Sequence, residues 1–287
     1  MYKNMKKIVC IALFAATAVF ALAQQFDSES DFMAEMADDG SARITEYIGS
    51  RQTVRVPSSI QEIPVAIIGA GAFKRNYRVN SVILPNSVTR IEEEAFAHCT
   101  GLTRINIPNG VISIGISAFK DCRINNLVIP NSVKNIDKAA FADCHRLTGV
   151  IMGNSITRIE NEVFMKCYSL TSITIPNSVT AIGWGAFSSC TSLRSITIPD
   201  SVTDIEGGAF AYCTGLTGVT IPAGVTSIGD WAFRDCTNLT SVTFQGTIAP
   251  DNFGSDIPFP GDLREKYLAR GAGTYRKSRN GNKWTKQ

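Results

Sequence analysis

The sequence predicts a β-rich solenoid, and three residues recurring about every 23 positions are the basis for that prediction. The phenylalanine of an Ala-Phe or Val-Phe pair recurs at Phe73, Phe96, Phe119, Phe141, Phe164, Phe187, Phe210 and Phe233. Seven of these have a cysteine three residues later, at Cys99, Cys122, Cys144, Cys167, Cys190, Cys213 and Cys236. A proline keeps the same step at Pro85, Pro108, Pro130, Pro176, Pro199 and Pro222. Self-similarity at a fixed period of about 20–50 residues is typical of stacked repeats.

Within each unit, local patterns predict the course of one coil. Ile105 and Ile107 alternate with Arg104 and Asn106, which is the period of a strand. Proline ends that strand because it has no N–H for a continuing ladder. The following Ala-Phe-x-x-Cys segment is too short for an α-helix and favours a 3₁₀ turn. Strands that repeat once per coil lie parallel, about 4.8 Å apart, which predicts a right-handed leucine-rich-repeat array of about eight coils.

The repeat also resembles a known family. Its core, I-P-x-S-V-T-x-I-G-x-x-A-F-x-x-C-x-x-L, is similar to the BspA-like leucine-rich repeat, and the resemblance extends over residues 54–245. The resemblance implies an exported bacterial protein of the adhesion type, since the best-known members bind host matrix proteins or other cells. Periodicity alone predicts only the solenoid.

The first 23 residues have the pattern of a signal peptide. Three lysines precede the apolar run 8–20, and Ala21-Leu22-Ala23 supplies small residues around a cleavage site. A retained membrane anchor is the alternative, but the run is short for a spanning helix of about 20 residues. We therefore expect an exported chain that is secreted, periplasmic or on the outer cell surface, with no transmembrane segment after cleavage.

The remaining boundaries follow from where the repeat begins and stops. Residues 24–53 are predicted to form an N-terminal cap, residues 54–245 the solenoid, and residues 246–287 a C-terminal cap with a basic tail. Solenoids need such caps to shield the end coils from water. The third coil is one residue short between Cys122 and Pro130. We expect that deletion in a loop, because a slipped strand would turn its apolar face outward.

The excess of positive charge lies at the C-terminal end of the chain. Residues 262–287 carry eight Lys and Arg against two acidic residues, whereas residues 24–287 carry 25 basic and 25 acidic residues. A nucleic-acid-binding function for the whole protein has no support from that balance.

The repeated cysteines permit two interpretations. An oxidising compartment favours disulfides, and neighbouring Cα atoms about 4.8 Å apart are within reach of one. Parallel side chains, however, hold the Cβ atoms near that same spacing, beyond the mean of about 3.8 Å found in disulfides. The favoured interpretation is a ladder of buried free thiols.

No catalytic or metal-binding pattern is present in the sequence. The two histidines, His98 and His145, belong to different coils, and no Cys-x-x-Cys pair occurs. No glycine-rich phosphate loop is found either. We predict that the protein is not an enzyme and needs no metal and no cofactor.

The candidate binding residues are those that point outward from the predicted strands. One residue per strand lies between two buried positions, and together they form a row: Ile83, Asn106, Val128, Ile151, Thr174, Thr197, Thr220 and Thr243. Outward β-branched residues also occur simply because strands tolerate them. The functional interpretation is that Ile83, Val128 and Ile151 form an apolar patch, a feature that often marks partner sites.

Two functions from different classes fit these observations. The first is a secreted or surface-exposed binding module that holds another protein on the open sheet, with a host matrix or cell-surface protein implied by the family resemblance. The alternative is a structural envelope or spacer protein with no specific ligand.

Overall fold

Each repeat forms one coil with three stretches of backbone, two strands and one series of turns. The computed structural model describes residues 7–8, 26–279 and 281–287. The predicted signal peptide, residues 1–23, lies outside them except for the strand Lys7–Ile8, which pairs antiparallel with Phe32–Met36. The sequence pattern predicts one strand per coil, and the structure adds a second at the Val-x-x-Ile positions.

The strands that precede the prolines form what we call the front sheet. They are Thr53–Arg55, Ser81–Ile83, Arg104–Ile105, Asn126–Ile129, Gly149–Met152, Ser172–Thr174, Gly218–Ile221 and Ser241–Phe244. Neighbouring coils pair in parallel register, with Leu127 beside Val150 and Val219 beside Val242. The ladder is interrupted after Arg104–Ile105 and again at residues 195–198, which form no strand.

A second sheet follows the prolines. Its strands are Ile63–Ile68, Arg90–Ile91, Ser113–Ile114, Asn135–Ile136, Arg158–Ile159, Ala181–Ile182, Asp204–Ile205 and Ser227–Ile228. They are also parallel, and the isoleucine of each strand is buried beside that of its neighbour. The pairing is interrupted between Asn135–Ile136 and Arg158–Ile159.

The third stretch, which we call the turn wall, contains the phenylalanines. Its i→i+3 hydrogen bonds, such as Cys99 N–H to Phe96 O at 3.2 Å, are those expected of a 3₁₀ turn. The residues two before and two after each phenylalanine have positive φ, for example 54° at Glu94 and 60° at His98. The segment is therefore a series of tight turns; in the described chain, only Glu29–Asp31 and Pro250–Asn252 are 3₁₀ helices.

The phenylalanine rings fill the interior of the turn wall as one continuous stack. Ring centroids of successive phenylalanines are 4.8–5.8 Å apart, and Tyr47 and Phe259 extend the stack at its two ends. The deletion in the third coil lies outside the strands, as predicted, because Ile124 is fully buried and Leu127 keeps its register with Val150.

Residues outside the repeats cover both ends of the stack. At the start, Phe32–Met36 and Ala42–Tyr47 form an antiparallel hairpin, and the second strand pairs with Ile63–Ile68. The extra residues of the first coil form another hairpin, in which Ser59–Ile60 pairs with Ile63–Ile68.

At the C-terminal end, the chain folds over the last coil. The helix Leu263–Arg270 and the strands Gly273–Arg276 and Thr285–Lys286 follow the last repeat, and Gly273–Arg276 pairs antiparallel with Ser241–Phe244. Tyr275 and Trp284 are buried there. The basic tail is therefore a folded part of the C-terminal end.

Candidate functional site

The front sheet exposes the predicted row of residues on its outer surface. Ile83 is 40% exposed, Val128 59% and Ile151 65%. The remaining members are exposed as well except Thr243, which is half-buried because its hydroxyl contacts that of Thr274 at 3.0 Å. The alternation of buried and outward residues thus places this row on the molecular surface.

The structure brings together only part of the predicted apolar patch. Val128 and Ile151 are direct partners in the parallel register, and Thr174 follows Ile151. Ile83 lies two coils before Val128, with Asn106 in the coil between them. The Asn106 amide exchanges two hydrogen bonds with the backbone of Leu84, at 2.8 and 3.1 Å. The contiguous apolar pair is therefore Val128 with Ile151.

A second row of outward-pointing residues lies beside the first on the outer surface of the front sheet. It occupies the position two residues earlier in each strand, and its members are Ser81, Arg104, Asn126, Gly149, Ser172, Ser195, Gly218 and Ser241. Strand alternation predicts these positions too, because residues two apart point to the same face. Most residues of this second row are small, so the side chains of Val128 and Ile151 protrude farther from the sheet than those of their neighbours.

Toward the C-terminal end, the same surface contains a polar groove. Residues 195–198 make no strand pairing there, and a cavity of about 420 Å³ lies between this segment and the next strands. Its lining includes Thr197, Thr220, Thr243 and Asp200. The exposed row therefore changes from an apolar pair at mid-array to a hydroxyl-lined groove in the last coils.

Exposed aromatic side chains on other surfaces were not predicted from the sequence. Tyr168, Trp184, Tyr212 and Trp231 are each 37–45% exposed on the turn wall or beside it. They stand at four different positions of the repeat, so the periodic pattern alone does not distinguish them from ordinary surface residues.

The seven repeated cysteines are all free and buried. Burial raises the pKa of Cys99, Cys144 and Cys213 to about 12, and it raises those of the other four well above the usual value. A thiol is nucleophilic only as the thiolate, so these cysteines are held in their unreactive form.

The histidines take part in local contacts. His98 Nδ1 lies 3.1 Å from an Asp121 carboxylate oxygen, and the His145 ring stacks on Tyr168 with centroids 4.9 Å apart. Within the part of the chain that the structure describes, no group of three or more His, Cys, Asp or Glu side chains is placed to hold a metal ion.

These features define the class of protein, a parallel β-solenoid with a coil of about 23 residues and an exposed front sheet. The model of the BspA type leucine-rich repeat region, in six copies, matches residues 66–167 and 157–252. The chain belongs to this family of leucine-rich repeat proteins. A comparison with curated proteins finds no match.

Several solved structures are similar to this chain. The T. pallidum leucine rich repeat protein is 27% identical, with 86% of this chain and 96% of that chain covered and a TM-score of 0.44. A leucine rich cell surface protein from Faecalibacterium prausnitzii is 21% identical, with coverages of 78% and 96% and a TM-score of 0.34. The pneumococcal vaccine antigen PcpA is 13% identical, with coverages of 84% and 94% and a TM-score of 0.34.

Among the described residues, none of the helices has the length and apolar character that crossing a membrane requires.

Proposed function

We propose that this chain is an exported, adhesin-like binding module that holds a partner protein on the outer surface of its front sheet. The observation that carries the proposal is the adjacent pair Val128 and Ile151, which are 59% and 65% exposed at the middle of the array. Exposed apolar side chains of this size contribute to binding when a partner removes them from water. The smaller neighbours Asn126 and Gly149 leave the pair accessible.

The partner class follows from the family and the predicted export signal. The resemblance to BspA-like proteins favours a host extracellular-matrix or cell-surface protein as the ligand. The chain acts without a cofactor in this proposal, and it is not an enzyme. A secreted or surface-attached location follows from the predicted signal peptide.

The test is binding of purified residues 24–287 to immobilised collagen, laminin and fibronectin, measured by surface plasmon resonance. We expect saturable binding to at least one of them, and we expect Ile151→Asp to weaken it at least tenfold because a few central residues carry most of the binding energy of an interface. Ile112→Asp is the matched control, since Ile112 is 45% exposed but lies outside the front-sheet rows. It should leave the affinity within about twofold of the unmodified chain, well short of the tenfold effect.

A salt titration separates the front sheet from the basic tail. Attraction between exposed charges is screened over about 8 Å at physiological salt, whereas burial of apolar surface persists as salt rises. Binding that disappears with salt but is unchanged by Ile151→Asp would place the contact on the tail. Absence of saturable binding to matrix proteins and to host or bacterial cells would favour the structural spacer instead.

A further inference from the structure

A second surface, distinct from the front-sheet rows, combines arginines with hydroxyl groups. Arg194, at the start of the sixth coil's front segment, and Arg279, from the C-terminal tail, line one cavity of about 460 Å³. The rest of its lining is Thr171, Thr191, Ser192, Thr217, Gly215 and Asn238. No carboxylate lines it, so two cations face a neutral polar surface.

Arg279 is held in position at this cavity. Its Nε donates to Asn238 Oδ1 at 3.1 Å, and Asn238 Nδ2 in turn donates to Thr214 O at 2.6 Å. One nitrogen of the guanidinium is thereby fixed to the solenoid, and the two terminal nitrogens make no hydrogen bond to any residue that the structure describes. In the described part of the chain, neither Arg194 nor Arg279 forms an ion pair with a carboxylate.

The hydroxyl groups beside the arginines are also oriented. Thr171 Oγ1 donates to Thr148 O at 3.0 Å, Thr191 Oγ1 to Tyr168 O at 3.3 Å, and Thr217 Oγ1 to Arg194 O at 3.4 Å. With their protons committed to backbone carbonyls, these threonines present lone pairs to the cavity. The surface therefore offers cationic donors next to acceptors, which suits a ligand that carries both anionic groups and hydroxyls.

The basic surface continues past Arg279. A neighbouring cavity of about 580 Å³ shares Asn238 and Arg279 with the first and adds Lys277 and Asn282, with Asp235 as its one carboxylate. Lys277 Nζ lies 5.6 Å from the centroid of the Trp284 ring. Three cations thus follow one another along a groove that runs from the solenoid onto its C-terminal cap.

We propose that this groove, from Arg194 through Arg279 to Lys277, binds a sulfated polysaccharide chain. Guanidinium groups pair with tetrahedral oxyanions through two parallel hydrogen bonds, and successive cations match sulfates repeated along a chain. Sugar hydroxyls donate to the oriented threonine oxygens. A single-stranded nucleic acid fits less well, because no aromatic ring lines either cavity and such binding depends on base stacking.

The test is calorimetric titration of residues 24–287 with a heparin hexasaccharide at physiological salt. We expect Arg194→Gln combined with Arg279→Gln to weaken binding at least tenfold and to lower the dependence of log affinity on log salt by about two, one for each lost anion contact. Arg78→Gln combined with Arg123→Gln removes the same charge from exposed sites in the early coils and should change the affinity less than twofold.

Titrations with three other ligands test which chemical features of heparin account for its binding. The unsulfated hexasaccharide and sulfate ion alone should each bind at least tenfold more weakly than heparin, and so should a single-stranded DNA of equal charge. Equal binding by the sulfate ion or the DNA, no heparin binding, or full binding by the Arg194 and Arg279 double variant with unchanged circular dichroism would each overturn the proposal. Ile151→Asp should leave heparin binding intact, so failure here is separable from failure of the front-sheet proposal.

Discussion

At the scale of single residues, the repeated cysteine makes the same side-chain hydrogen bond in all seven coils that contain it. Each of the seven Sγ atoms lies 2.9–3.3 Å from the phenylalanine carbonyl of the preceding coil. Phe96 O, for example, accepts from Cys99 N–H in its own coil and from Cys122 Sγ in the next. The cysteine is therefore both a small apolar side chain and a donor that links consecutive coils.

We expect this arrangement to keep the thiols reduced and inaccessible. In native residues 24–287, which lack Cys10, a thiol reagent such as Ellman's reagent should react with close to none of the seven thiols, and with close to seven after denaturation without reductant. If the denatured protein has at least two fewer reactive thiols than seven, a disulfide is present and the free-thiol ladder is contradicted.

Alkaline pH should destabilise the protein through the same residues. The pKa of each thiol is raised in the folded state, to about 12 at Cys213, so the unfolded chain loses these protons first. The stabilisation of the folded state by each thiol is complete below the pKa that the thiol has in the unfolded chain, near 8.5. It is lost as the pH rises toward the pKa that the thiol has in the folded chain. Within that pH window, each thiol lowers the free energy of unfolding by about 1.4 kcal/mol per pH unit.

Urea unfolding measured from pH 8 to pH 11 checks this expectation. Cys190→Ala with Cys213→Ala should show a shallower fall in the free energy of unfolding than the unmodified chain does. A parallel fall in both would assign the effect to lysines and tyrosines, which also titrate in that range.

At the scale of the element, the turn wall depends on a left-handed residue two positions before and two positions after each phenylalanine. N–H groups of Glu94, Phe96 and His98 donate to the next coil, while those of the residues between them close turns within their own coil. Glu94 and His98, which have positive φ, therefore supply two of the N–H groups that point along the stack, and Phe96, whose φ is not positive, supplies the one between them. That pattern satisfies backbone groups that burial would otherwise leave unpaired.

Glycine should relieve strain at such a position. Ser117 has a φ of 53°, at the position where other coils have Gly71, Gly185 and Gly208. A left-handed non-glycine residue costs about 1–2 kcal/mol, and glycine loses about 0.5–1 kcal/mol of that gain to its extra freedom when unfolded. Ser117→Gly should therefore raise the free energy of unfolding by about 0.5–1 kcal/mol.

The matched control is Ser113→Gly, in the strand Ser113–Ile114, where φ is not positive and glycine should lower stability. Denaturant unfolding of both variants distinguishes the cases, and an equal loss in each would show that no strain is stored at Ser117.

At the scale of the whole molecule, stability is a sum of contacts between neighbouring coils. Phe187 lies in the middle of the ring stack, 5.6 Å from Phe164 and 5.3 Å from Phe210 between centroids. Phe187→Ala should lower the free energy of unfolding by about 3–5 kcal/mol, because a cavity forms where the ring was. It should also reduce the cooperativity of unfolding, since two half-arrays then meet at a weakened interface.

Urea unfolding followed by circular dichroism measures both effects. Tyr212→Ala provides the comparison, because Tyr212 is 45% exposed and its removal leaves no internal cavity. Equal losses for the two variants would contradict the ring stack as the main interior contact.

The repeat allowed much of the coil to be predicted. Because each residue of a solenoid lies beside its equivalent in the next coil, one correct placement of Phe187 or Cys190 applies to all the others. The same logic placed the deletion between Cys122 and Pro130 in a loop, and it placed the row from Ile83 to Thr243 on the surface. The second sheet was missed because Val-x-x-Ile contains a strand of only two residues, too short for a visible alternation.

The sequence by itself therefore determined the period, the interior of the coil and the direction in which the strand residues point. Only the tertiary structure decided which residues from outside the repeat join its surface. The folded tail brings Arg279 to the cavity that Arg194 lines. The physical reason is that the interior follows from contacts repeated at a constant step, whereas the caps and surface clusters depend on contacts that occur once.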